Sequence, residues 1–242
     1  MAAYRSLLLL TFASCVFSDG GKLFDPCNLN DIKCLSEATE NFLEKSANGL
    51  PDYDIKALDP LIIPELKVVV DEGMGLAFDF TNINVTGLKN QQISDFQMDT
   101  VKKSVVLKTK AVLNIAGDLK IIFTKKNKEF TGTYTASATA LGSSQYGYSL
   151  TKKNGEDYFE VGPETNTCEI IGEPVVTIGD VLQNALDNDS DAKSMKPGYE
   201  TNKVSLRKKA ICKIVETAYI TVIHNIRASA KIFPAKDYFN NL

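Results

Sequence analysis

The stretch that most constrains this chain is residues 201–233, TNKVSLRKKAICKIVETAYITVIHNIRASAKIF, which holds no glycine and no proline before Pro234 stops it. Apolar residues recur at Val204, Ile211, Val215, Ala218, Val222, Ile226, Ala230 and Phe233, three or four apart after the first step. That spacing is one face of an α-helix. A second row, Leu206, Ala210, Ile214, Tyr219 and Ile223, widens the face well beyond a single stripe. Thr201 or Asn202 can cap its start, and Arg207, Lys208 and Lys209 leave a charged strip near it. Roughly 30 helical residues span about 45 Å. Such a helix cannot cover its own apolar girth, so the remaining elements are expected to wrap it.

The first 18 residues, MAAYRSLLLLTFASCVFS, carry one arginine, an apolar core from Leu7, and Val16 and Ser18 at the −3 and −1 positions. This is the pattern of a secretory signal peptide cleaved before Asp19, which leaves one domain over residues 19–242. Its core is too short to span a bilayer, and no later stretch offers about 20 uninterrupted apolar residues, so an exported protein without stable membrane insertion is expected. Removing the segment takes away Arg5 and no acid. Lys plus Arg falls from 27 to 26 against 30 acids, a net charge of −4. Mild acidity gives no reason to expect a nucleic acid or an anionic membrane as partner.

Four cysteines remain after Cys15 leaves with the signal. An even number in an exported chain reads as two disulfides. Three pairings are open, and Cys27–Cys34 with Cys168–Cys212 is the economical one. The spacings fit no CxxC metal site and a single histidine is present, so no metal is expected. Asn84-Val85-Thr86 and Asn188-Asp189-Ser190 are glycosylation sequons.

Along the chain, Asn30 can cap a helix over residues 31–48 that Gly49 and Pro51 stop. Its inner face is Leu35, Ala38 and Phe42; it is either a mobile lid or an ordinary surface helix. From Leu61 the period changes to two. Leu76, Phe78 and Phe80 share a face, as do Leu107, Thr109, Ala111, Leu113 and Ile115; Tyr146 and Tyr148 continue the theme. Asn154-Gly155 marks a two-residue hairpin turn. A short helix is expected over residues 178–186, followed by an exposed loop over 187–196 that ends at Pro197-Gly198. The fold class is therefore α+β, a curved antiparallel sheet rolled around a long C-terminal helix. Such a roll leaves tapering gaps wherever its inward side chains are small, and slender apolar ligands fit those gaps.

One strand is especially informative. Over residues 130–141, FTGTYTASATAL, one face is Phe130, Gly132, Tyr134, Ala136, Ala138 and Ala140, and the other is Thr131, Thr133, Thr135, Ser137 and Thr139, all hydroxyls. Tyr134 brings the one polar side-chain atom to the small face. It is either a core tyrosine bonded to backbone or the lone donor to an otherwise apolar ligand. Facing direction adds Leu35, Phe42, Ala136, Ala138, Phe159, Val222, Ile226 and Phe233 as expected lining. His224 reads as a surface residue. Without a Gly-x-Ser-x-Gly elbow, a His-Glu-x-x-His helix or a phosphate loop, enzymatic readings start weak and no cofactor is expected.

Several segments together resemble the insect hemolymph juvenile hormone-binding proteins, within the wider takeout-like group. They are Cys27-x6-Cys34 with Leu35-Ser36, Phe42-Leu43-Glu44-Lys45, Pro51-x-Tyr53-Asp54-Ile55, Asp59-Pro60-Leu61 and the stretch 84–100. Later come Phe159-Glu160-Val161, the stretch 168–174, Ile211-Cys212-Lys213-Ile214-Val215 and the stretch 224–232. The likeness covers nearly the whole chain after the signal, while residues 187–202 match little and 71–75 drift. It implies a tubular lipid-binding roll, the Cys27–Cys34 and Cys168–Cys212 pairings, and a monomeric, non-enzymatic carrier of juvenile hormone, a sesquiterpenoid methyl ester with an epoxide. It also implies that the first helix gates the ligand. A tyrosine that bonds the epoxide, in a Phe-Thr-Gly-x-Tyr-Thr-Ala context, maps onto Tyr134. Alternatives to be separated are a takeout-like carrier of another terpenoid or fatty ligand, and an extracellular interaction module with a filled interior.

Overall fold

The computed structural model describes residues 24–242; the expected signal peptide lies outside the described residues. The chain runs α1 (Ile32–Ser46), β1 (Leu61–Asp71), β2 (Leu76–Thr86), β3 (Gln92–Asp99), β4 (Ser104–Phe123), β5 (Lys128–Lys153), β6 (Glu156–Ile178), α2 (Asp180–Asn188) and α3 (Ser190–Ile232). The six strands form one antiparallel sheet in the order β1-β2-β4-β5-β6, with β3 also paired to β4. The sheet is open and strongly curved, and α3 lies along its inner face.

Alternation explains the long strands. In β4, Leu107, Thr109, Ala111, Leu113 and Ile115 are all buried, and in β5 so are Tyr134, Ala136, Ala138, Ala140, Tyr146 and Tyr148. The β5–β6 turn has Asn154 at φ 52° and Gly155 at φ 86°, the left-handed pair that a two-residue hairpin needs. Register shifts in β5–β6 between Ser137 and Thr139 and between Tyr146 and Tyr148 bend the strands as bulges do. Two glycines let a neighbour come close: a Cβ at Gly132 would stand 2.6 Å from Leu182 Cβ, and one at Gly142 would collide with the Tyr219 ring.

All three helices differ from the sequence expectation, α2 only in running Asp180–Asn188 rather than over 178–186. The cap of α1 is Asp31, not Asn30: its Oδ1 accepts from Cys34 N at 3.0 Å, and the helix ends at Ser46. The larger correction is α3, which starts at Ser190 and runs for 43 residues, through the segment expected to be a loop and through Pro197 and Gly198. A proline there costs one backbone bond, but the first turns are anchored from outside. Asp189 caps them, and Lys128 holds Asp189 at 2.7 Å and Asp191 at 2.6 Å. Ala192 is buried, and Met195 and Tyr199 pack on the core. Tertiary contact thus overrides two helix breakers.

Both disulfides form as the economical pairing has them, Cys27–Cys34 and Cys168–Cys212, with Cα separations of 5.8 and 5.3 Å. The first ties the start of α1 to a segment that itself bridges to the C-terminal tail, Cys27 N donating to Tyr238 O at 3.0 Å. The second fastens β6 to α3. Asn84 lies within β2, opposite Ile62 and Ala116, whereas Asn188 is exposed at the end of α2. No helix among the described residues is long and apolar enough to cross a membrane.

Candidate ligand-binding cavities

The roll does not close evenly on its rod. Ile211, Ile214 and Ala218 of α3 are 0% exposed, so the middle is solid. Toward each end the packing opens into a cavity, and the two cavities share no lining residue.

One cavity, about 190 Å³, lies beneath α1. The lid contributes Leu35, Ala38, Thr39 and Phe42; the floor is Leu107, Tyr146, Val222 and Ile226, with Phe24, Tyr238 and Phe239 at the side. Phe24 stacks on Phe42 at 4.8 Å between ring centroids. The lid is fastened at its ends: Cys27–Cys34 holds its start, and Ala47 O accepts from Leu58 N and Asp59 N beyond its end. Between them the side-chain hydrogen bond from lid to sheet is Ser36 Oγ to Ile93 O, 3.2 Å. Leu43 of the lid packs with Leu58 and Val222 in an apolar cluster, and apolar contacts impose no fixed direction.

The floor carries a directed polar chain. Thr109 donates to Gln91 Oε1 at 3.0 Å, which commits its one proton, so the Tyr219 phenol must donate to Thr109 in turn. Burial pushes the Tyr219 phenol up to about 12, against the lowering effect of its bond to Thr109. The Tyr146 phenol has no hydrogen-bond partner among the described residues and borders this cavity. Burial drives its pKa far upward, partly offset by the Arg227 charge, so it stays a neutral donor at any physiological pH.

The other cavity, about 350 Å³, lies beneath α2 and the first turns of α3. Met74, Leu76, Phe78, Leu119, Ile121 and Phe123 wall it, and Tyr134, Tyr199 and Arg207 stand together on one side.

The sequence-derived site residues therefore separate. Leu35, Phe42, Val222 and Ile226 meet under α1. Tyr134 lines the opposite cavity. Twelve residues of extended chain, on the order of 40 Å, part it from Tyr146. The expectation of one tunnel with Tyr134 at its wall beneath the first helix is corrected: that place belongs to Tyr146. Ala136 and Ala138 face the core rather than either end, where their small side chains admit α3. Phe159 stands behind the α1 cavity, edge-on to Tyr148 at 5.4 Å and to Phe239 at 6.0 Å. Phe233 contacts Phe24 at 5.3 Å beside the cavity, outside its lining. Sequence reasoning missed Tyr146, Thr109 and Gln91 as site residues. The signal for the first two was present, a hydroxyl on an otherwise apolar strand face. His224 is at the surface, its Nε2 3.0 Å from Asp54 O.

Comparison with known proteins agrees with this architecture. The family of haemolymph juvenile hormone binding proteins matches over residues 6–162. A juvenile hormone-binding protein of Manduca sexta is 49% identical over 228 residues, 94% of this chain and all of that one. The crystal structure of Takeout 1 from Epiphyas postvittana superposes with a TM-score of 0.72 at 18% identity, over 89% of this chain and 99% of that one, and shares the fold. On the family match and the Manduca relative, the chain belongs to the haemolymph juvenile hormone-binding protein family.

Proposed function

We propose that this protein is a secreted, monomeric, non-enzymatic carrier that binds juvenile hormone beneath α1, keeps it soluble in hemolymph and shields its ester from hydrolysis. The observation that carries this reading is the α1 cavity: largely apolar walls, a tethered helical lid and two phenols, Tyr146 and Tyr238, without a hydrogen-bond partner among the described residues. The Manduca relative, a juvenile hormone-binding protein, supports it. Burying an oily chain contributes several kcal/mol at ~25 cal/mol per Å², and one hydrogen bond from the Tyr146 phenol to the epoxide adds about 1 kcal/mol. Affinity comes from burial and orientation from the phenol. At about 190 Å³ the closed cavity is smaller than the ~300–1,000 Å³ of ordinary ligand sites, so loading requires α1 to move outward. The glycosylation sites Asn84 and Asn188 belong to the same secreted reading.

Titration with labelled hormone tests it. The expected result is saturable uptake at one site, no release of the hydrolysed acid, and faster hormone release when the α1 tethers are cut. Uptake unaffected by filling the α1 cavity would overturn the assignment.

A further inference from the structure

The α2-capped cavity is not a copy of the first. At about 350 Å³ it already falls within the ordinary range for a ligand, with no lid movement. Its walls are apolar, and its polar groups gather on one side. Arg207 donates from Nε to Tyr199 Oη at 3.1 Å, and its guanidinium lies over the Tyr199 ring with 6.0 Å to the centroid. That contact holds the guanidinium by its inner edge. The outer fork has no hydrogen-bond or ion-pair partner among the described residues. The nearby carboxylates pair with other side chains, Glu200 with Lys203 at 2.8 Å and Asp187 with Lys196 at 3.2 Å, although Glu200 also feels the Arg207 charge. Lys193, also at the rim, has no ion-pair partner either among the described residues. Tyr134, 4% exposed, borders the same cavity within electrostatic reach of Arg207 and Tyr199, and its hydroxyl has no hydrogen-bond partner among the described residues.

A guanidinium fork is matched by a planar carboxylate, which accepts two parallel bonds. A neutral ester leaves the fork unpaired. The cavity therefore selects a molecule with an apolar tail and a charged head, the reverse of the uncharged ligand read for the α1 cavity. Two engaged carboxylates at the rim disfavour a doubly charged phosphate and favour a single negative charge.

We propose that the cavity beneath α2 is a second binding site, for a long-chain carboxylate whose head pairs with Arg207 and accepts from Tyr134, with its tail along Leu76, Phe78 and Ile121. The site stands on its own residues and does not depend on the reading of the α1 cavity.

The test uses the full secreted chain with palmitic acid, methyl palmitate and labelled juvenile hormone as probes. The wild type is expected to bind the acid at least ~10-fold more tightly than the methyl ester, the value of a charge-assisted hydrogen bond. Arg207→Gln, at a partly exposed position, is expected to erase that preference while leaving hormone binding unchanged. Tyr134→Phe, which keeps the ring, is expected to weaken the acid by a smaller factor and serves as the second, fold-preserving variant. Three results would each overturn the proposal: equal binding of acid and ester by the wild type, a preference that survives in Arg207→Gln, or competitive displacement of the hormone by the acid. Loss of hormone binding in the wild type would instead defeat the reading of the α1 cavity and leave this one intact.

Discussion

The two ends of the roll are built from the same elements and differ in how they are closed. At the α1 end the lid is tied to the body at its two termini and, among the described residues, by the Ser36–Ile93 hydrogen bond, over a cavity of about 190 Å³. At the α2 end the cover is the beginning of the rod itself, held by Lys128 and Lys126 on Asp189 and Asp191, over about 350 Å³. One end is small and tied at its edges; the other is roomy and braced. The polar groups differ as well. Tyr146, Gln91 and the Asp25 carboxylate line the first, whereas Arg207, Lys193 and Lys196 line the second together with Asp187 and Glu200. A shared scaffold thus gives two chambers whose linings differ in polarity, because a sheet face dictates which residues point inward and leaves their polarity free.

That contrast can be broken in graded steps. Ile214→Ala strikes the solid middle that both ends lean on and should cost about 2–5 kcal/mol by denaturant unfolding; impaired binding at one end alone would show that the middle is not a common support. Cutting the first tether with Cys27→Ser and Cys34→Ser should cost about 2–3 kcal/mol through loop entropy. Hydrogen exchange should quicken in α1 and hormone release should speed up, with α2 unaffected. Ala38→Trp overfills the α1 cavity at a cost of about 1–3 kcal/mol, so hormone affinity should fall at least ~10-fold while palmitate binding stays constant. Tyr146→Phe removes one hydrogen bond of about 1 kcal/mol; affinity for the epoxide hormone should drop about fivefold, affinity for an analogue lacking the epoxide should not change, and Tyr134→Phe should leave both unaltered.

The smallest effect concerns acid. Asp189 and Asp191 are held below the usual carboxylate range, chiefly by hydrogen bonds from Lys128. A depressed folded pKa stabilises above the unfolded value of 3.8 and the contribution fades as pH falls through the folded one. Amides of the first turns of α3 should therefore lose protection as pH is lowered below 4, ahead of those in α1. Equal loss at both ends would remove the claim that these ion pairs brace only one of them.

Much of this was legible in the residues. Period-two runs placed the strands, Asn154-Gly155 the hairpin, and the apolar rows from Leu206 to Phe233 the rod. What failed did so for identifiable reasons. Pro197-Gly198 reads as a stop by local propensity, and only distant contacts, Lys128 on Asp189 and Asp191 and the packing of Ala192, Met195 and Tyr199, explain why the helix passes through it. Tyr134 and Tyr146 lie on one face of one strand, separated by an even number of residues. Alternation reports which side a residue faces and says nothing of which end of a 26-residue strand a lid will cover. Gln91 sits just ahead of β3, where no periodicity flags it, and its role comes entirely from Thr109 and Tyr219.

Tyr219 is part of the packed core between the chambers, and its ring fits against the sheet because position 142 is glycine. The length of cargo a roll of this kind accepts is thus decided by a handful of bulky groups in its waist. Trimming them would merge two short berths into one continuous bore, with every strand pairing left as it is.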